Sequence, residues 1–423
     1  MADNSEETKI EPNKMKRNHT FLTGMYMAVN AISDAFLIMD GPDCAYKKIE
    51  LFEKNHDFMT KIFKRDGRHK ISATVTDVNH VIDERHDQII DSILNVASCE
   101  DSGVVFISSE PMVALTGVDY DMLADEAQKS TEKKIIPIPY QSLDKDWLDG
   151  YSYVLERIAE RIDFPSTDRK KDKVAVIGHL FDRNEGDNLG NVREIERMLK
   201  AISLDPCSIW LSGSRYDKLA KAAEAEYIIK MPYSGRAADI IAERTGAKII
   251  DVGIPFGFEN TSQWLRIVAT TVGRESEAEA FINNELKAIM PLMEWLVPVY
   301  FQGKRIAFAG DPHFASAFVR AFSELDSVVT EIIAYSTSDR KLIDVDVPVF
   351  YENDEYQRSH HTDYFVGCYN SREMSGGRVP FIEFGFPSHN THFFSEEPYL
   401  GLIGFTLFLN RMINRYLSHE SRR

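Results

Sequence analysis

The sequence lacks a long apolar run, a paired CxxC motif and an apolar leader segment. No stretch reaches the roughly 20 apolar residues that a membrane-spanning helix needs. The cysteines are too widely spaced to indicate a disulfide framework or a zinc ribbon. They are Cys44, Cys99, Cys207 and Cys368. Because residues 1–17 are polar and carry no secretion signal, we expect a cytoplasmic protein with a flexible N-terminal tail.

Basic residues are outnumbered by acidic ones, with 49 Lys and Arg against 66 Asp and Glu and a formal net charge of -17. A charge of this sign repels phosphate backbones and anionic lipid surfaces. We therefore expect no nucleic acid or membrane partner, and we favour a protein or a small molecule.

The chain has 423 residues, of which 43% are hydrophobic, which suits two or three globular domains. After residue 17, short β-branched runs alternate with stretches of helical period, as in parallel sheets with crossover helices. We predict strands at residues 104–108, 134–138, 174–177, 227–229, 248–251, 305–308, 329–333 and 347–350. A mostly apolar last helix is predicted from about Leu400 to Leu417.

Two breaks divide this pattern, at residues 164–172 and 300–303. After each break the chain continues as a strand, a glycine, a polar loop and a helix, which is how half of a doubly wound sheet begins. The simplest architecture is therefore three similar α/β units in series. We predict a tail at residues 1–17 and domains at residues 18–167, 168–300 and 301–423.

Ligands of such sheets bind beyond the carboxyl ends of the strands, so the loops that follow the strands are the places to look for chemistry. His179, Tyr233, Asp311 and His313 lie in these loops, and we predict that they line a substrate cleft. Helix capping is an equally good explanation for Asp311. The aromatic residues of these loops suit a flat organic ligand, although ordinary core packing explains them as well.

The segment Asn18-His-Thr-Phe-Leu-Thr-Gly24, with the later Asp40-Gly-Pro-Asp-Cys44, resembles the opening of nitrogenase component 1-type subunits. Two departures from that pattern are present. Asp40 stands where the family has a histidine, and one residue rather than two separates Pro42 from Cys44.

The resemblance continues in order along most of the chain. Ser108-Ser-Glu-Pro111 is similar to the family's third motif, Val252-Gly-Ile-Pro255 to its middle domain, and Phe384-Gly-Phe-Pro387 to its last domain. The resemblance implies an α/β fold of three Rossmann-like domains with mainly parallel sheets. In this fold the first domain forms the site of an iron-sulfur cluster and the dimer interface.

In that family, cysteine thiolates from two subunits hold an iron-sulfur cluster. The first and third ligand positions fall at Thr20 and about Pro111, so only Cys44 remains as a predicted metal ligand. The resemblance leaves three possibilities open. Cys44 can share a 4Fe-4S cluster with a different partner subunit, two copies of this chain can share one with Asp43, Asp40 or Glu110 as oxygen ligands, or no cluster binds. We therefore predict Cys44, Asp43 and Glu110 as cofactor-binding residues.

The resemblance also bears on the catalytic cofactor of true nitrogenase. The position of the cysteine that binds this cofactor falls near Met231, where no cysteine is present. The position of the histidine that binds it falls near His392. This argues against nitrogen fixation and favours an organic substrate. His392 and His389 are the predicted catalytic residues, because imidazole transfers protons near neutral pH. A merely polar surface turn is the competing explanation for this pair.

The chain has no phosphate-binding loop, because residues 178–190 contain no lysine. The resemblance implies that a separate ATP-dependent iron protein delivers the electrons. We therefore predict a subunit of a nitrogenase-like reductase that acts on an organic substrate or cofactor, together with a homologous partner subunit, in a homo- or hetero-oligomer. The alternative is a non-catalytic scaffold, assembly or small-molecule-binding protein that keeps the fold without a cluster.

Overall fold

The computed structural model describes residues 19–42, 57, 60, 70–75, 85–140, 144–166, 169–336, 346–351 and 361–421. Asp43 and Cys44 lie outside these described residues. None of the helices found within the described ranges combines the length and apolar character that a membrane crossing requires.

The first sheet is parallel throughout and has the strand order β2-β1-β3-β4. Its strands are β1 (Ala35–Asp40), β2 (Ile71–Ala73), β3 (Val104–Ser109) and β4 (Lys134–Ile138). The helices around it are α1 (Phe21–Asn30), α2 (His86–Ala97), α3 (Pro111–Ala114), α4 (Tyr120–Gln128) and α5 (Trp147–Arg161). Every residue of β1 and β3 is buried, because both are central strands covered on both faces.

The second sheet is also parallel and has the order β6-β5-β7-β8. Its strands are β5 (Lys170–Ile177), β6 (Asp205–Ile209), β7 (Ala225–Lys230) and β8 (Lys248–Asp251). The helices that follow them are α6 (Gly186–Ala201), α7 (Tyr216–Leu219), α8 (Ala237–Thr245), α9 (Phe258–Val272) and α10 (Glu275–Tyr300). Single 3-10 turns occur at Ala220–Glu224 and Pro232–Ser234.

The third sheet is parallel with the order β11-β10-β9-β12-β13. Its strands are β9 (Arg305–Gly310), β10 (Val328–Ala334), β11 (Val349–Tyr351), β12 (Tyr364–Gly367) and β13 (Phe381–Glu383). The helical segments are α11 (Pro312–Ser323), a 3-10 helix at Tyr369–Ser375 and α12 (Gly401–Glu420).

Helix α12 packs against helices of the second domain as well as against β13 of its own. Aromatic rings form the join: Phe256, which precedes α9, lies 5.0 Å from Phe405 and 5.3 Å from Phe408 between ring centroids. Edge contacts of this kind add to the apolar area that is buried. The second and third domains are therefore fixed relative to each other by a shared aromatic core.

The predicted α/β class with parallel sheets is confirmed. Each predicted strand overlaps an observed one, and the last helix begins at Gly401. The sequence reading missed β1, β2, β6, β12 and β13. Of these, β2 and β13 are three-residue edge strands, and β6 carries Pro206 at the edge of its sheet, where a missing backbone donor is tolerated.

Candidate functional site

A cavity lies where the carboxyl ends of strands from the second and third sheets meet the start of α5. The non-atom space there is about 620 Å³ when the open solvent at its mouth is counted, and about 50 Å³ of it is accessible to the centre of a water molecule. Its polar lining residues are His19, His179, Asp182, Tyr233, Asp311, Tyr335, Cys368 and Tyr399. Its apolar wall includes Trp147, Leu180, Met231, Ile254, Phe308, Phe314, Phe384, Phe386 and Leu400.

His179 enters this cavity from the loop that follows β5. Gly178 makes the turn with φ +88°, and a Cβ there would come within 2.4 Å of the Ser234 backbone nitrogen. The Tyr151 hydroxyl then fixes the loop, because it donates to the His179 carbonyl at 2.9 Å and accepts from the Phe181 N–H at 2.9 Å. The backbone around His179 is therefore held in place.

The His179 ring itself is not fully satisfied. Its Nε2 atom is buried and has no hydrogen-bond partner among the residues that the structure describes. Burial lowers the pKa of His179 to about 4, so the imidazole is neutral at physiological pH. A neutral imidazole nitrogen at a cavity wall can accept a proton or donate one to a ligand, depending on its tautomer.

Asp182 follows in the same loop and is 6% exposed. Its carboxylate accepts a hydrogen bond of 2.8 Å from the Asn188 side chain at the start of α6. Burial raises the pKa of Asp182 to about 6, and the neighbouring Arg183 opposes that rise. This carboxyl group can therefore exchange a proton close to neutral pH.

Tyr233, which follows β7, and Asp311, which follows β9, form a hydrogen-bonded pair in the cavity wall. The Tyr233 hydroxyl donates to the Asp311 carboxylate. The same carboxylate caps α11 by accepting from the His313 N–H at 2.9 Å, so the capping explanation for Asp311 holds beside its place in the cavity wall. Burial is the largest cause that raises the pKa of each of these two groups.

Three of the four predicted cleft residues thus line one cavity, namely His179, Tyr233 and Asp311. His313 lies behind them, with its ring edge-on to Tyr233 at 5.1 Å between centroids. Sequence reasoning missed Asp182, although it lies in the loop after β5, and it also missed Trp147, Tyr335 and Cys368 as cavity residues. Only the packing of three domains brings these side chains together, so no local motif signals them.

The two predicted catalytic histidines lie elsewhere. The His389 ring lies 4.1 Å from the Tyr369 ring between centroids, tilted by 35°, and the Nδ1 atom of His392 lies 2.7 Å from the Glu185 carboxylate. The Glu383 carboxylate organises their loop by accepting from the backbone N–H of His389 at 2.6 Å. Neither imidazole lines the cavity, so a catalytic role for the pair stays a prediction without support from this geometry.

At the first sheet, Glu110 follows β3 and is 3% exposed. A Cβ placed on Gly41 would come within 2.7 Å of the Glu110 side chain, so Glu110 lies beside the segment that leads to Asp43 and Cys44. Asp40 is already bound by the Arg85 guanidinium at 2.6 Å and the Tyr120 hydroxyl at 2.6 Å. Among the predicted oxygen ligands, the Asp40 carboxylate is therefore already engaged by two side chains.

Fold and site together define a three-domain α/β protein with a cavity at the carboxyl ends of its strands. The family model described as nitrogenase component 1 type oxidoreductase matches residues 20–417. The chain belongs to the nitrogenase component 1-type oxidoreductase family.

Named relatives are distant. The nitrogenase molybdenum-iron protein beta chain of Frankia alni is 23% identical over 387 residues, which cover 79% of this chain and 71% of that one. The light-independent protochlorophyllide reductase subunit N of Stigeoclonium helveticum is 26% identical over 146 residues, 33% of this chain and 29% of that one. The iron-molybdenum cofactor biosynthesis protein NifE of Methanococcus maripaludis is 25% identical over 272 residues, 60% of this chain and 52% of that one.

A solved structure described as nitrogenase Cp1 at pH 6.5 superimposes with a TM-score of 0.79 at 16% identity. The superposition covers 100% of this chain and 96% of that one. The predicted nitrogenase component 1-like fold is therefore confirmed.

The iron-sulfur cluster that the resemblance implies needs several thiolates that face one point. The Cys207 thiol donates to the Val174 carbonyl at 3.3 Å, and burial raises the pKa of both Cys207 and Cys368 to about 11. Cys99 lies just beyond the end of α2. Within the described ranges, no three His, Cys, Asp or Glu side chains gather as a metal site. The described thiols do not fit a cluster held by this chain alone.

Proposed function

We propose that this chain is the ligand-binding subunit of a nitrogenase-like reductase and holds an organic substrate or cofactor in the interdomain cavity. The unpartnered Nε2 atom of His179 is the observation that carries this proposal. A buried polar atom without a partner costs about 1–3 kcal/mol, and a ligand that bonds to it removes that cost.

The acids of the cavity suit a reductive reaction. A two-electron reduction of an organic double bond also consumes two protons, so the site must hold proton donors. Burial raises the pKa of Asp182 to about 6, so this carboxyl group of the cavity wall can take up and release protons near neutral pH, and burial raises the pKa of Asp311 as well. The Tyr233 hydroxyl, bonded to Asp311, positions the second of these acids.

The electrons would come from a separate ATP-dependent iron protein, through an iron-sulfur cluster at the seam with a homologous partner subunit. Cys44 is the proposed thiolate, with Asp43 and Glu110 as oxygen donors nearby. The burial of Glu110 next to Gly41 supports this arrangement, because Gly41 comes shortly before Asp43 and Cys44 in the sequence.

A second candidate function is a non-catalytic carrier that holds a cofactor or precursor in transit. The poor fit of Cys99, Cys207 and Cys368 to a cluster favours it. The likeness to a protein named for iron-molybdenum cofactor biosynthesis points the same way. Both candidates use the same cavity and differ in whether electrons arrive there.

The cavity is tested by purifying the protein without oxygen and comparing its mass under native and denaturing conditions. We expect an organic molecule to be released on denaturation. Leu180→Trp fills the cavity wall and should abolish that release, whereas Leu292→Trp changes a side chain that is 58% exposed on α10 and should not. Equal release from both variants, or none from the wild type, would refute the cavity function.

The electron route is tested by iron analysis and electron spin resonance on the protein with its partner chain. A reductase subunit should carry iron and a cluster signal that Cys44→Ala removes while the cavity ligand remains. A colourless protein with equal ligand occupancy in wild type and Cys44→Ala would refute the reductase function and support the carrier function.

A further inference from the structure

The cavity is acidic as well as aromatic. Its described lining residues include the carboxyl groups of Asp182 and Asp311, and no lysine or arginine is among them. The nearest guanidinium along the chain, that of Arg183, is directed to Asp187 at 2.7 Å instead. An anionic ligand would therefore meet carboxyl groups without a cationic side chain in the described wall.

Charged groups of both signs lie behind Asp182. Glu185 and Asp187 share its loop and the start of α6, and both raise the pKa of Asp182. Arg183 lowers the pKa of Asp182, and Arg411 lies near Asp187 and Glu397. Asp182 is the member of this group that lines the cavity.

The aromatic wall, like the carboxyl groups, favours a ligand with a positive charge. The ring of Phe384 lies 5.0 Å from both Phe314 and Tyr399 between centroids, and the Trp147 N–H donates to the Tyr335 carbonyl at 2.6 Å. The face of an aromatic ring is electronegative and attracts a desolvated cation. A wall of such rings beside a carboxylate is suited to an organic cation.

We propose that the cavity selects a small aromatic cation, with its amine or protonated ring nitrogen against Asp182 and its apolar part against the aromatic wall. This inference rests on the proposed function, because it names the class of ligand that the same cavity takes. His179 supplies a neutral imidazole that can bond to the ligand without repelling its charge.

Three indoles that differ mainly in the charge of one side chain provide the test. Calorimetric titration at pH 7.5 should give the tightest binding for cationic tryptamine, weaker binding for neutral tryptophol and the weakest for anionic indole-3-acetate. We expect tryptamine to bind about tenfold or more tightly than indole-3-acetate, since one ion pair and one cation–π contact differ between them. Equal affinities, or a preference for the anion, would overturn the proposal.

Asp182→Asn should weaken tryptamine binding by about tenfold and leave tryptophol unchanged. Asp205→Asn is the matched control, because its carboxylate is 63% exposed on β6, outside the cavity wall, and it should change neither. If all three indoles bind equally and Leu180→Trp abolishes their binding, the cavity function stands and the charge selection fails. If none of them binds, the aromatic-cation class is wrong, while the mass measurement decides the cavity function separately.

Discussion

The carboxyl ends of the first and second sheets occupy equivalent positions in their domains but are built differently. At the end of β1, Asp40 accepts from Arg85 at 2.6 Å, Tyr120 at 2.6 Å and Thr74 at 2.7 Å. At the end of β5, the Nε2 atom of His179 is buried without a partner in the described part of the chain. The first is a closed network that fixes the fold, and the second is an open one that a ligand can complete.

The largest effect is expected from breaking the closed network. Arg85→Met leaves the Asp40 carboxylate buried without its cationic partner, and the loss of one member of a buried pair costs about 3–5 kcal/mol. The free energy of unfolding from urea titration should fall by that amount. Lys134→Met, whose partner Asp163 is 87% exposed, is the control and should cost under about 1 kcal/mol. Equal costs would show that the Asp40 network does not fix the fold.

An effect of about 3 kcal/mol is expected at the open site, and it depends on pH. His179 has a pKa of about 4 in the folded protein and an ordinary value of 6.5. Its contribution to the free energy of unfolding is therefore fully present above pH 6.5 and is lost as the pH falls to 4. Asp182 has a raised pKa and acts in the opposite direction, but it is unchanged in His179→Gln. The stability difference between wild type and His179→Gln should therefore shift by about 3 kcal/mol between pH 7 and pH 4.

That comparison requires urea titrations of both proteins at several pH values. His86→Gln is a suitable control, because this ring is exposed at the start of α2 and pairs with Glu126 on the surface. A difference between wild type and His179→Gln that does not change with pH would mean that the imidazole is not held neutral by burial.

The smallest effect is expected at the hydrogen-bonded pair of Tyr233 and Asp311. Tyr233→Phe removes the hydroxyl that donates to Asp311 and should cost about 1–2 kcal/mol. Since the Tyr233 hydrogen bond lowers the pKa of Asp311, the variant should also raise that pKa further. The pKa is measured from carboxyl NMR shifts of labelled protein. An unchanged Asp311 titration would show that the hydroxyl does not position this acid.

Much of the site followed from the sequence because parallel strands bring their carboxyl ends to one edge. That rule predicts that His179, Tyr233 and Asp311 lie at one cleft, and all three line the same cavity. It could not place Trp147, which begins a helix of the first domain and reaches the cavity only through interdomain packing. The spacing of His389 and His392 in the sequence also does not predict where their side chains lie, because the Glu383 carboxylate sets how their loop turns.

A high-resolution structure of the anaerobically purified protein tests the cavity most directly. We expect density for an organic molecule between the Nε2 atom of His179 and the Asp311 carboxylate, with a nitrogen within hydrogen-bond distance of Asp182. A cavity that holds only water, with His179 bonded to a protein group, would contradict it.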